Sequence, residues 1–177
     1  LKLPSPNYRK LKLFIAKDST SFDFMLIANS DTLNVKTSDY LTNSSPFIEL
    51  TIPSNTATIS IKTVQNQPNQ NRFEFYGMSL ESSSFNGVIY HSVGVGASQF
   101  GSLLVESLLE KQLPTLSPNL LILDFGTNNY LYDNQVKPEL GPQIEQIIQN
   151  LRKCAPKALI LLTSTQDLYF KSKPVTA

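Results

Sequence analysis

Cysteine is almost missing from this chain: 177 residues contain one, Cys154. A single thiol excludes a disulfide framework. Cys154 falls in phase with the apolar residues of a predicted helix, so it reads as a small buried hydrophobe. Histidine is equally scarce, with His91 alone and none after it. An excess of one charge is missing too. The 15 Lys and Arg offset 14 Asp and Glu to a net charge of +1, with the lysines scattered, whereas a nucleic-acid surface needs clustered basic residues. No apolar run reaches the roughly 18 residues of a membrane helix, so no span is expected. The chain opens Leu1-Lys-Leu-Pro4 without Met or a signal peptide, and its last predicted strand ends shortly before Ala177. It is expected to be a piece of a longer protein, with any export signal upstream.

What is present changes character between residues 80 and 90, from Thr, Ser, Asn and alternating aromatics to Leu/Ile runs with helical periods. The expected division is 1–83 and 84–177. In the first part, short runs at Lys10–Lys17, Phe22–Ala28, Thr32–Thr37, Pro46–Ile52, Ala57–Val64 and Arg72–Met78 are separated by turn residues. Ala57, Ile59 and Ile61 alternate with Thr58, Ser60 and Lys62, and Phe73 and Phe75 with Arg72 and Glu74, the period of a strand with one buried face. Breaks such as Asn29-Ser-Asp31 and Pro53-Ser-Asn55 recur at intervals suited to a jelly-roll-like β-sandwich. Tyr8, Tyr40 and Tyr76 form a candidate sugar-stacking platform or the ordinary half-buried tyrosines of a sandwich. The run at 65–71 reads as a solvated hairpin loop.

The second part reads as strand, loop and helix repeated. Gly87–Val93 is the first expected strand, with a loop at Gly94–Ser98 and helical spacing of Phe100, Leu103, Leu104 and Leu108 up to Pro114. Asn119–Phe125 is the second strand, with its loop at Gly126–Asn134. A helix over Glu139–Cys154 places Leu140, Ile144, Ile147, Ile148, Leu151 and Cys154 on one face. Ala158–Thr163 is the third strand. A βαβαβ order implies a parallel sheet, whose C-terminal strand ends bring the loops Gly94–Ser98, Gly126–Tyr130 and Ser164–Phe170 to one edge, where open α/β sheets bind ligands. Three strands leave such a sheet incomplete.

Several site chemistries compete. Gly94-x-Gly96 is half of a dinucleotide fingerprint, with Asp124 as the ribose-binding acid. Gln99 stands where the third glycine belongs, and Asp124 lies thirty positions beyond Gly94 rather than roughly twenty. His91 is a general base only if Ser92 or Ser98 is a nucleophile. Ser98 lacks a Gly-x-Ser-x-Gly elbow and reads as a helix cap. Asn129 and Asp124 have turn-forming or loop-orienting roles. An acyl-transfer site, by contrast, needs backbone N–H groups and a side-chain donor around a developing oxyanion. A glycine-rich turn supplies the first and Gly126-Thr127-Asn128 the second.

Two segments carry a resemblance. Val93-Gly-Val-Gly-Ala-Ser-Gln-Phe100 resembles the second sequence block of the SGNH (GDSL-type) hydrolases, and Gly126-Thr127-Asn128 resembles the third. Phe75–Glu81 followed by Gly87–Ser92 further resembles members with a carbohydrate-binding-like sandwich inserted between the first and second blocks, the peptidoglycan O-acetylesterase type. The resemblance implies a partial flavodoxin-like three-layer α/β domain after the sandwich, and a secreted or periplasmic ester hydrolase acting on acetylated polysaccharide or another ester. It makes the Gly96 N–H, with Ala97 as alternate, and the Asn128 side chain the oxyanion donors, with no cofactor and no metal. Its nucleophile belongs to a Gly-Asp-Ser block before the sandwich and its base to a later Asp-x-x-His block. Neither is among these residues, and Asp167-Leu-Tyr-Phe170 ends in Phe where His is needed. The chain alone is therefore expected to be inactive. The rival readings are a non-catalytic carbohydrate-binding protein and a nucleotide-binding α/β domain.

Overall fold

The computed structural model describes residues 1–3, 7–83, 86–130, 137–165, 168–170 and 173–175. They form several small antiparallel sheets, one short parallel pair and a few helices, divided into two compact units, Leu1–His91 and Ser92–Ala177.

In the first unit, β1 (Tyr8–Ile15), β2 (Asp23–Ala28), β3 (Asp31–Val35), β4 (Ile48–Thr51), β5 (Ile59–Val64) and β6 (Phe75–Ser82) build two antiparallel sheets, ordered β4-β1-β6 and β3-β2-β5. Register follows the apolar alternation. Leu11 and Leu13 of β1 face Leu50 and Ile48 on one side and Leu80 and Met78 on the other. Both sheets contribute to one core that includes Leu11, Leu13, Phe24, Leu26, Ile48 and Ile59. Burying each such side chain contributes about 1.5–3 kcal/mol. The polar residues of β1 pair across the opposite face, with Lys12 Nζ 2.7 Å from the Glu81 carboxylate and Lys10 3.5 Å from that of Glu49.

Turn chemistry sets the connections. Asn29 takes a left-handed φ of 53° between β2 and β3, a conformation that Asn tolerates better than most residues. Its side-chain oxygen accepts the Ala57 and Thr58 N–H groups at 2.9 and 3.2 Å, which ties the hairpin to the entry of β5. The 65–71 loop, expected to be a solvated hairpin loop, is exposed apart from Gln70 but joins β5 to β6 of the other sheet rather than closing a hairpin. Buried Gln70 organises it, its Oε1 accepting the N–H groups of Asn66 and Gln67 at 2.7 and 3.0 Å. Asn66 then donates to buried Asp23 at 2.7 Å. Phase is also lost at the start of β6. Phe73 packs against the core, but Phe75 is exposed, because the register shifts at its pairing with Ile15.

In the second unit, β7 (Leu120–Leu123) and β8 (Leu159–Leu162) are parallel, in register from Leu120↔Leu159 to Leu123↔Leu162. The 15-residue α3 (Leu140–Cys154) lies between them in sequence. Leu140, Ile147 and Leu151 of α3 pack with Leu123, Leu121, Ile160 and Phe100, the face that the heptad-like spacing predicts. Arg152 and Lys153 stand in the last turn of α3, where cations complement the helix dipole. Arg152 also donates to the Ala158 carbonyl at 2.5 Å. Cys154 is half-buried, and burial, reinforced by the Glu110 carboxylate, raises its thiol pKa. It is partly rather than fully buried as expected, and the raised pKa favours the thiol over the thiolate.

Two expected elements differ. Gly87–Val93 forms no strand: it is unpaired, with Val88, Tyr90 and Val93 exposed. Strand propensity reflects fit to a pleated neighbour, and the described residues supply none, so the parallel sheet has two strands rather than three. The helix expected from Phe100 to Pro114 is instead a 3₁₀ turn over Phe100–Leu104 and a separate α1 (Leu109–Leu116). Between them the Glu106 carboxylate accepts the Leu108 N–H at 3.0 Å, a local bond that competes with the helical ladder. After β8 comes a short antiparallel pair, β9 (Leu168–Phe170) and β10 (Lys173–Val175).

Candidate functional site

The turn after β7 is shaped by Gly126, whose φ of 115° lies where only glycine is at ease. It redirects the chain into α2 (Thr127–Tyr130), a single turn closed by the Asn129 N–H on the Gly126 carbonyl at 2.8 Å. Asn128 sits one residue inside that turn. Its Nδ2 donates to the Ser98 carbonyl at 2.9 Å, so the amide projects across to the Gly94–Ser98 loop.

That loop is held in turn. The Ser98 N–H donates to the Val95 carbonyl at 3.2 Å, closing a tight turn around Gly96 and Ala97. Ala97 takes a left-handed φ of 64°, which costs a residue with a Cβ about 1–2 kcal/mol. Gly96 itself is not in that region, and an added Cβ there meets nothing within 4 Å. The strain therefore falls one residue after the glycine that the sequence singles out. Such outliers mark functional candidates.

The two site residues expected from sequence, Gly96 and Asn128, thus belong to loops that touch. The order in which they do so was not legible. No strand leads into the first loop, and Ser98 does not cap the following turn. Gln99 occupies the capping position, its N–H donating to Ser102 Oγ at 3.1 Å. Gln99 Nε2 also donates to the Asn128 carbonyl at 3.0 Å. Asn129, which read as turn chemistry, accepts the Phe100 N–H at 3.2 Å. Below them the rings of Phe100 and Phe125 meet at 5.4 Å. In the sequence Gln99 stands out only as the residue where a third glycine would be expected.

At the neighbouring strand ends, Thr163 Oγ1 donates to Asp124 Oδ1 at 2.8 Å, and the Thr163 N–H donates to the Leu123 carbonyl at 3.1 Å. Asp124 is exposed, and among the described residues its second carboxylate oxygen accepts no hydrogen bond. The dinucleotide alternative loses the setting it needs, because Gly94-x-Gly96 neither follows a strand nor opens an α-helix. His91 is half-buried. Asp167 and residues 131–134 lie outside the described residues, as do the side chains of 168–170.

The tyrosine platform divides. Tyr8 and Tyr40 pack against the first unit's core. Tyr76 is exposed and donates its hydroxyl to Glu74 at 2.8 Å, which raises the phenol pKa. Elsewhere in that unit an open recess of about 590 Å³ is lined by Asp18, Asp23, Lys36, Asp39, Asn69 and Gln70, among others.

Chemically, the paired loops offer an exposed backbone turn and a side-chain amide with two N–H donors, one of them spent on Ser98. No protein-family model matches this chain, and no curated protein matches it.

Proposed function

We propose that these residues form the oxyanion half of an SGNH-type serine esterase, with the Gly96 N–H (or that of Ala97) and the Asn128 amide receiving the charged oxygen of an acyl-transfer intermediate. The observation that carries this reading is the reach of Asn128 Nδ2 from the turn after β7 to the Ser98 carbonyl at 2.9 Å, which sets an amide donor against the glycine-containing turn. A preorganised pair of this kind is what acyl transfer requires.

In the same reading, the β7-α3-β8 unit is part of a flavodoxin-like parallel sheet, and the two antiparallel sheets of the first unit are a small jelly-roll-like sandwich. The serine and histidine come from Gly-Asp-Ser and Asp-x-x-His blocks outside these 177 residues. The substrate class is an O-acetyl or related ester on a carbohydrate, and the location is the periplasm or outside the cell. A non-catalytic carbohydrate-binding role draws support from the polar recess of the first unit. Many of its side chains, Asp23 and Gln70 among them, are already bonded within the protein.

The test is hydrolysis of p-nitrophenyl acetate. The 177-residue chain is expected to release p-nitrophenol at the buffer rate, since oxyanion donors without a nucleophile have little to stabilise. A longer protein with both flanking blocks is expected to turn over saturably and to be stopped by a serine-directed fluorophosphonate. Saturable, fluorophosphonate-sensitive turnover by the 177-residue chain would put the nucleophile inside it, at Ser92 or Ser98, and overturn the assignment.

A further inference from the structure

Four contacts run along the seam between the two site loops. Asn128 Nδ2 donates to the Ser98 carbonyl at 2.9 Å, Gln99 Nε2 donates to the Asn128 carbonyl at 3.0 Å, the Phe100 N–H donates to Asn129 Oδ1 at 3.2 Å, and the Phe100 and Phe125 rings lie 5.4 Å apart. Each hydrogen bond joins a side-chain amide on one loop to the backbone of the other. Gln99 reaches in one direction, and Asn128 and Asn129 reach in the other. The seam also closes directly after Ala97, whose left-handed backbone persists only when its surroundings hold it. A reciprocal arrangement differs from a set of separate bonds, because moving either loop breaks all of them together.

We propose that Gln99 is a positioning residue for Asn128: its Nε2–H, bonded to the Asn128 carbonyl, fixes the turn from which the Asn128 amide projects and thereby keeps the Phe100–Asn129 bond closed. The mechanical claim concerns this chain alone, while its catalytic consequence rests on the oxyanion reading above. Gln99 also shares a capping box with Ser102, whose Oγ accepts the Gln99 N–H at 3.1 Å while the Gln99 side chain accepts the Ser102 N–H. Gln99→Ala therefore removes cap and donor together, whereas Gln99→Glu keeps a side-chain acceptor for the cap and loses only the donor.

Amide hydrogen exchange in the 177-residue chain tests this. The reporter is the Phe100 N–H, whose acceptor is Asn129 Oδ1, a group that makes no bond to Gln99 among the described residues. In Gln99→Ala, Phe100 exchange is expected to rise about tenfold, the factor that corresponds to one net hydrogen bond, with the amides of Leu123 and Ile147 unchanged. Gln99→Glu is expected to behave like Gln99→Ala at neutral pH, where the carboxylate cannot donate. It should regain protection as the pH falls below about 4 and its carboxyl becomes a donor, while the wild type shows no such gain.

If Gln99→Ala leaves Phe100 protected while Asn129→Ala exposes it, the bonds are independent and the proposal fails. It fails equally if protonated Gln99→Glu brings no recovery. Should Gln99→Ala also loosen Leu123 and Ile147, the Gln99→Glu titration decides alone. Exchange does not read esterase chemistry, so loss of the clasp and loss of the esterase reading are told apart.

Discussion

In the first unit the sheets β4-β1-β6 and β3-β2-β5 spend their apolar faces on one core, with Leu11, Leu13 and Ile48 almost fully buried. In the second, the parallel pair covers one face with α3 and leaves the other open: Leu120, Ile122 and Leu161 are each about half exposed, and Leu159 is 70% exposed. The difference follows from how each kind of sheet is built. Antiparallel sheets can bury one face and solvate the other, so two of them close a core between them, even though only β2 and β3 here are joined by a short turn. Parallel strands need cover on both faces from distant segments. Among the described residues, the first unit carries its complement within itself, and the second leaves Leu120, Ile122, Leu159 and Leu161 uncovered.

Substitutions sharpen that contrast. Leu13→Ala removes a fully buried side chain that faces Ile48 and Met78 across the sheet. It is expected to lower the first unit's stability by about 2–5 kcal/mol, measured by denaturant unfolding followed through that unit's backbone amides. A loss under 1 kcal/mol would mean that the core is looser than its burial implies. In the second unit the proposed oxyanion role predicts a kinetic effect. Where both flanking blocks are present, Asn128→Ala is expected to lower turnover roughly 10²–10³-fold with KM nearly unchanged. Equal turnover in a folded variant would make Asn128 a loop fastener only.

Acid probes the first unit more gently. Hydrogen bonds from Thr20, assisted by Arg72, hold the Asp18 carboxyl at about 2. For Glu81, burial acts in the opposite direction, but the Lys12 ammonium prevails and the pKa is lowered. Both groups bind protons less readily folded than unfolded. Their contribution is therefore present above the ordinary carboxyl range and is lost as the pH falls, for Asp18 between about pH 4 and pH 2. The Asp18 side chain is 38% exposed, so solvent screening keeps its effect small. The double variant Asp18→Asn/Glu81→Gln is expected to flatten the fall in melting temperature over this range, and an unchanged slope would assign acid sensitivity elsewhere. The smallest effect belongs to the open face. Leu159→Ser is expected to change stability by no more than about 0.5 kcal/mol, and a loss of 2 kcal/mol or more would show that this face is covered in solution.

The same contrast governs what could be read from the sequence. The six runs of the first unit became β1–β6 with shifted ends because their alternation and turns are local signals. The apolar phase of α3 was equally legible, since Leu140, Ile147 and Leu151 are buried as their spacing requires. Gly87–Val93 misled because β-branched and aromatic residues announce a strand without saying whether a partner is there. The loop pairing was half legible. Gly126-Thr127-Asn128 signalled a donor at a strand end, but Gln99 reaching Asn128 and Thr163 reaching Asp124 join residues distant in sequence, and no spacing rule links them. The left-handed Ala97 was hidden behind Gly96, the residue that a reader expects to carry such a backbone.

The central claim is that the two loops share one oxygen. It is tested most directly by the structure of a fluorophosphonate adduct of a protein in which Gly-Asp-Ser and Asp-x-x-His blocks flank these residues. The prediction is a phosphonyl oxygen roughly 2.7–3.1 Å from both Asn128 Nδ2 and the backbone nitrogen of Gly96 or Ala97. An oxygen held by other donors, with the Asn128 amide bonded only to the Ser98 carbonyl, would contradict it.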